Sequence, residues 1–333
     1  MKILVVAALV VGCAAAFGQF DLEESHSTAS LRGVDSVGAG TVWASGSGGT
    51  VLRSEDGGFL WQTCAMPKGA EKLDFRGVRA FDAQTALVMS SGKGALSKVY
   101  KTTDGCATWT LVLDDPDAEG FFDAIWFKDR NVGLLLGDPV DGKFVLMGTS
   151  DGGAHWTRVQ SDGLKAAPGI GAFAASDSSL VAGPVFATGG PDGPFVYTGN
   201  LKGNRVFSHV KVPMNGSTES AGIFSLTRCG RTLVAVGGEY TKPGLREGTA
   251  AYFDGSWKAA KTMPGGYRSG VGYDSAAGAC VAVGPNGVDV SKDGGVSWRA
   301  VSGEATTEWN AVSLPFVVGE KGKIGKLRAG ALE

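Results

Sequence analysis

Ser54-Glu55-Asp56-Gly57-Gly58-Phe59-Leu60-Trp61 reads as a turn between two β-like runs, Val51-Leu52-Arg53 before it and Trp61-Gln62-Thr63 after it. The same pattern, Ser/Thr-x-Asp-x-Gly/Cys-x-x-Trp, returns as Thr102-Thr103-Asp104-Gly105-Cys106-Ala107-Thr108-Trp109. It recurs from Thr149 through Asp151 and Gly153 to Trp156, and from Ser291 through Asp293 and Gly295 to Trp298. Each residue type has a physical reason. Asp and Ser/Thr side chains bond the amides of their own turn, and Gly takes the positive φ a tight turn demands. Trp then leaves the turn and buries a large ring against a sheet. A spacing of roughly 40–50 residues marks an array of one repeated supersecondary unit.

Before each turn lies a regular preamble. A first strand, such as Leu31-Arg32-Gly33-Val34, Phe75-Arg76-Gly77-Val78 or Trp309-Asn310-Ala311-Val312, precedes a second strand ending in Gly. Examples of the second are Thr41-Val42-Trp43-Ala44-Ser45-Gly46 and Leu233-Val234-Ala235-Val236-Gly237. Two degenerate copies fill the gaps: Phe195-Val196-Tyr197-Thr198 leading to Arg205-Val206-Phe207, and Ala250 through Asp254 to Trp257. Strand, strand, strand, turn, strand is one four-stranded propeller blade. Fourth strands then begin near Trp61, Trp109, Trp156, Arg205, Trp257 and Trp298, and the segment from Trp309 to Leu332 supplies three strands more. The orphan strand from Phe20 to Ser25 can complete that last blade. The predicted fold is all-β: a single seven-bladed β-propeller over residues 19–333, closed by its N-terminal strand, which suppresses exposed sheet edges. Six or eight blades stay open on the count alone.

The repeated turn resembles the Asp-box, or bacterial neuraminidase repeat, of β-propellers. Over essentially the whole mature chain, the first strands ending Arg-Gly-Val, the boxes and the N-terminal signal resemble exported photosystem II stability/assembly factor-like proteins. That resemblance implies a non-catalytic scaffold or chaperone-like propeller whose arginine patch engages a partner. More distantly the chain is similar to the sialidase superfamily, which implies an arginine cluster for a substrate carboxylate and acidic catalytic groups. Of that family's Phe-Arg-Ile-Pro motif, Phe75-Arg76-Gly77-Val78 keeps only the first half.

Composition narrows the function classes. With 31 Lys+Arg against 33 Asp+Glu in 333 residues, the net charge of −2 provides no basic field for nucleic acid. Hydrophobic residues at 43% supply a core, and the 53 glycines show no collagen period. Beyond the leader no apolar run reaches membrane-spanning length. No cofactor is expected. Gly169-Ile170-Gly171-Ala172-Phe173-Ala174 fits G-x-G-x-x-A, but no helical period follows it. Gly148-Thr149-Ser150-Asp151-Gly152 fits G-x-S-x-G, yet lies inside a box turn. No metal site is predicted either, since His26, His155 and His209 are scattered.

Lys2, the apolar run Ile3 to Val11 and the small residues through Gly18 read as an export signal over residues 1–18. Cleavage after Ala16 or Gly18 would release a soluble protein. Alternatively, Val10-Val11-Gly12-Cys13 reads as a lipoprotein box, with a lipid anchor on Cys13. A periplasmic or extracellular monomer is expected. Cys64 and Cys106 lie about one repeat apart, as do Cys229 and Cys280, so disulfides between neighbouring repeats suit an oxidising compartment, with buried free thiols the alternative.

Aligned first strands give candidate ring residues around the axis: Arg32, Arg76, Asp123, Gly171, Arg268 beside Tyr267, and Asn310, with blade five ambiguous at Ala221-Gly222-Ile223-Phe224. Arg32, Arg76 and Arg268, with Tyr267 and Asn310, are the candidate binding residues, because guanidinium forks suit carboxylates and other oxyanions. The expected partner is an envelope or secreted protein, or an anionic ligand such as an acidic glycan. Second-strand exits add Asp138 and Glu239. In the alternative carbohydrate-active reading, two acids from Asp123, Asp138 and Glu239 would act as the catalytic pair.

Overall fold

Second strands such as Thr41–Gly46 and Ala279–Gly284 are buried along their whole length. They read as continuous apolar runs because each lies mid-sheet with a neighbouring sheet over both faces. A computed structural model describes residues 19–38, 40–200 and 206–332. The predicted leader, Cys13 and Arg205 lie outside the described residues.

The strands form seven four-stranded antiparallel sheets. Among the described residues there is no α-helix. Blade one comprises Leu31–Val37, Thr41–Gly46, Thr50–Ser54 and Gln62–Thr63, and blades two to six repeat that order along the chain. Blade seven takes Trp309–Ser313, Phe316–Gly319 and Ile324–Leu327 from the C-terminal end and Phe20–Glu23 as its outer strand. That outer strand pairs Phe20 with Leu327 through Glu23 with Ile324. The fold is a seven-bladed β-propeller closed by both chain ends, as the sequence predicts.

First strands begin and second strands end on one face, called here the upper face; the Ser/Thr-x-Asp turns sit on the other. In the first turn Ser54 Oγ donates to Asp56 Oδ1 (2.9 Å) and accepts from the Gly58 amide (2.9 Å), while Asp56 Oδ1 accepts from the Leu60 amide (3.0 Å). Thr102 with Asp104, Thr149 with Asp151 and Ser291 with Asp293 repeat the arrangement. Hydrogen bonds from Thr108 and Thr102 bring the Asp104 carboxyl down to about 2. The residue whose amide donates to the Ser/Thr oxygen has positive φ: Gly58, Gly153 and Gly295 in three turns, and Cys106 (φ 66°) in the other. Cys106 is disulfide-bonded to Cys64 and joins blade two to blade one; Cys229 and Cys280 join blades five and six.

The turn tryptophans reach backward round the ring. Trp61 meets Phe316 of blade seven edge-on (6.3 Å), and Trp109 meets Trp43 of blade one (6.3 Å). Across the seam, Phe20 is 4% exposed and packs 5.7 Å from Trp309. Phe20→Ala is expected to cost about 3–5 kcal/mol, the scale for emptying a packed aromatic site, read by chemical denaturation. A change below about 1 kcal/mol would mean the seam strand does not hold the ring shut.

Candidate functional site

The ring positions have a structural cause. In five blades the first strand carries a β-bulge where the register skips one position, after the strand's first residue in four of them and after its third, Ile223, in blade five. The skipped residues are Arg32, Arg76, Asp123, Phe224 and Asn310. A bulged residue has no ladder partner and its side chain is re-aimed. The ambiguous blade five is thereby placed: its ring residue is Phe224.

Blade six departs from the predicted alignment. The glycine that ends the second strand in blades one, six and seven marks the register, because the first strand crosses so close that a Cβ there would meet its backbone. A Cβ at Gly46 would meet the Ser30 carbonyl and Leu31 Cα, and one at Gly319 the Glu308 carbonyl and Trp309 Cα. At Gly284 the corresponding residues are Tyr267 and Arg268. Arg268 therefore occupies the buried Leu31 position and Ser269 the ring position. The Arg268 guanidinium, 1% exposed, ion-pairs with buried Asp289 and donates to the Tyr267 carbonyl (2.7 Å) and Asn286 Oδ1 (2.6 Å). It is part of the interior of blade six and does not line the hub. Asn310 also turns aside, donating to the Leu31 carbonyl of blade one (2.9 Å) and to Glu320 Oε1 of its own blade (3.2 Å).

Arg32, Arg76, Asp123, Asp138 and Tyr267 do come together. They line one cavity of about 510 Å³ at the upper mouth of the hub, with Phe121, Phe173, Phe224 and Tyr240. Phe173 stacks on Phe224 at 3.8 Å, and Tyr267 meets Phe224 edge-on at 4.7 Å. Of this aromatic wall only Tyr267 is among the predicted binding residues. Tyr240 follows a second-strand exit and was within reach of sequence reasoning; Phe173 lies in the Gly-rich stretch that mimics a dinucleotide motif.

Blade four supplies the floor. Gly171 holds the ring position and bridges to Gly189, but the chain then leaves the sheet and returns only at Leu180–Val181. Between them, residues 172–179 cross the hub. The Ala174 carbonyl accepts from Arg76 (3.3 Å), the Asp177 carbonyl from Arg79 (2.8 Å), and Asp177 Oδ1 from the Ile125 amide (2.7 Å). Ser176 Oγ donates to the Ser269 carbonyl (2.6 Å), and Ser178 and Ser225 share a hydroxyl contact (2.6 Å). Blades two, three, five and six are thus tied to one segment. Burial pushes the Asp177 carboxyl up to about 7 against the opposing pull of Arg79.

The charges of the cavity are unevenly satisfied. Arg76 Nε donates to Asp74 Oδ2 at 2.7 Å. Arg32 Nε is buried with no protein acceptor, and burial, then the charge of Arg76, pull its guanidinium down. Burial raises Asp138, whose Oδ1 accepts from the Ala172 amide at 2.9 Å. Burial raises the Tyr267 hydroxyl as well. Glu239 is committed elsewhere: Thr218 Oγ1 donates to it at 2.5 Å and Thr241 Oγ1 at 2.7 Å. Burial works to raise that carboxyl, but the hydroxyl bonds overcome it and bring it down to about 2. No group of three or more His, Cys, Asp or Glu placed to hold a metal occurs among the described residues. No helix there is long and apolar enough to cross a membrane.

No protein-family model matches the sequence, and no curated protein matches it. Solved structures do. YCF48 from Cyanidioschyzon merolae is 17% identical with a TM-score of 0.66, covering 94% of this chain and 99% of that one. YCF48 bound to a D1 peptide is 15% identical with a TM-score of 0.63, covering 94% and 96%. The extracellular domain of the putative hybrid two-component system BT4673 from B. thetaiotaomicron is 11% identical with a TM-score of 0.62, covering 93% of this chain and 40% of that one. At these identities the likeness is one of fold.

The two kinds of arginine separate by mutation. Arg268→Ala strands a buried Asp289 and is expected to cost about 3–5 kcal/mol of stability. Arg32→Ala, which breaks no ion pair, should stay within about 1 kcal/mol of wild type. Denaturant unfolding of both variants checks this, and equal losses would refute the distinction.

Proposed function

We propose that this protein is an exported, non-catalytic binding or assembly propeller that grips an anionic group of a partner protein at the upper mouth of its hub. The observation that carries the reading is the cavity itself. Two bulged arginines from adjacent blades enter it side by side, and a stacked aromatic wall stands beside them. Guanidinium forks recognise carboxylates bidentately, and aromatic faces bury the neighbouring apolar part of a guest. A cavity of about 510 Å³ suits one or two side chains of a protein segment. The YCF48 propeller bound to a D1 peptide supplies a precedent of the same fold for holding a peptide. The inter-blade disulfides and the leader-like N-terminus support an oxidising compartment, the envelope or the exterior.

The carbohydrate-active alternative draws less support. Of its three acids, Glu239 is held by threonine hydroxyls away from the cavity. Burial raises both Asp123 and Asp138, whereas a retaining pair needs one carboxylate ionised as nucleophile.

Arrays of peptides from exported host proteins, run beside an acidic-glycan array, test the reading. Wild-type protein should select carboxylate-rich peptides, and Arg32→Ala/Arg76→Ala should weaken them at least tenfold, the scale of one lost charged hydrogen bond, about 1.5–3 kcal/mol. A folded double variant with unchanged peptide binding would overturn the arginine site. Selection of glycans alone would move the protein to the carbohydrate class.

A further inference from the structure

Asp123 is the anomaly of the cavity. It is 1% exposed, and no protein donor reaches either of its carboxyl oxygens. Its surroundings are Asp138 from its own blade, Arg76 with Asp74 from blade two, Arg32 from blade one, and Tyr240 and Tyr267 from blades five and six. Arg76 gives its Nε to Asp74 and Nη1 to the Ala174 carbonyl. An ionised carboxylate buried without a donor is costly. A carboxylic acid is tolerated far better, and it offers an O–H donor. Burial, then the charge of Asp138, hold Asp123 well above the usual carboxylate range.

We propose, resting on the reading of this cavity as an anion-binding mouth, that Asp123 takes part in binding as a carboxylic acid. Its O–H donates to one oxygen of a guest carboxylate while Arg32, whose Nε has no protein acceptor, takes the other. The site therefore accepts a carboxylate and a proton together. A carboxylate is favoured over a sulfonate because its stronger basicity gives the stronger charge-assisted bond to an acid O–H. Once Asp123 ionises it repels the guest, and Asp138 adds to that repulsion. Affinity then falls about tenfold for each pH unit above the point of ionisation.

The test uses the full chain, with benzoate and benzenesulfonate as probes in NMR titrations at pH 5.5 and 8. Benzoate should bind at pH 5.5, at least tenfold more weakly at pH 8, and better than benzenesulfonate throughout. Asp123→Asn keeps a donor but has no proton to lose there, so its benzoate affinity should fall far less than wild type's between the two pH values, with Asp138 accounting for the remainder. Loss of benzoate at both pH values in that variant, or a flat wild-type profile, would overturn the proposal; so would benzoate binding at neither pH.

Thermal unfolding gives a readout that needs no guest. An acid raised in the folded state weakens the fold as pH climbs from the unfolded value, near 4, through the folded one. Asp123→Asn should therefore melt above wild type by a margin that grows from pH 4.5 to pH 8. A margin that does not grow overturns the protonated Asp123 while leaving the arginine mouth standing. If the margin grows but the arginine double variant keeps its peptides, the anion-binding reading fails instead, and this proposal with it.

Discussion

A four-stranded blade has two apolar faces, and a flat stack would always leave one of them bare. Only a closed ring covers both faces of every sheet. The fully buried second strands depend on that closure, and so do Trp61 and Trp109, which leave their turns to lie on the previous blade. Closure in turn rests on the short strand Phe20–Glu23, which brings the start of the described chain onto the last blade. The disulfides reinforce two inter-blade joints, between blades one and two and between five and six.

Much of this was legible because it depends on local chemistry that repeats. The Ser/Thr-x-Asp turns close on their own amides, so their residues appear wherever the turn does. The glycine ending the second strand in blades one, six and seven is also legible, since the first strand's backbone leaves no room for a Cβ there. Arg32, Arg76 and Asp123 followed from counting forward from an apolar first-strand residue. The same count misplaced Arg268 by one residue. In blade six the slot filled elsewhere by Leu31 or Trp309 holds a guanidinium neutralised by Asp289, a pairing that only tertiary packing reveals.

The floor of the cavity was not legible for a different reason. Residues 172–179 follow neither the strand period nor a turn pattern, and their partners come from four other blades. Such a segment is specified by where its amides and hydroxyls find bonds. Phe173 escaped notice with it, although it forms half of the aromatic stack.

The bulges and the crossing segment together shape what the molecule can do. Each bulge releases one side chain per blade from the demands of sheet packing, so the hub can hold chemistry the blades could not tolerate. The crossing segment makes the hub a cup and not a pipe. No chain can be threaded through from one side to the other. Whatever settles there must arrive and depart by the same door.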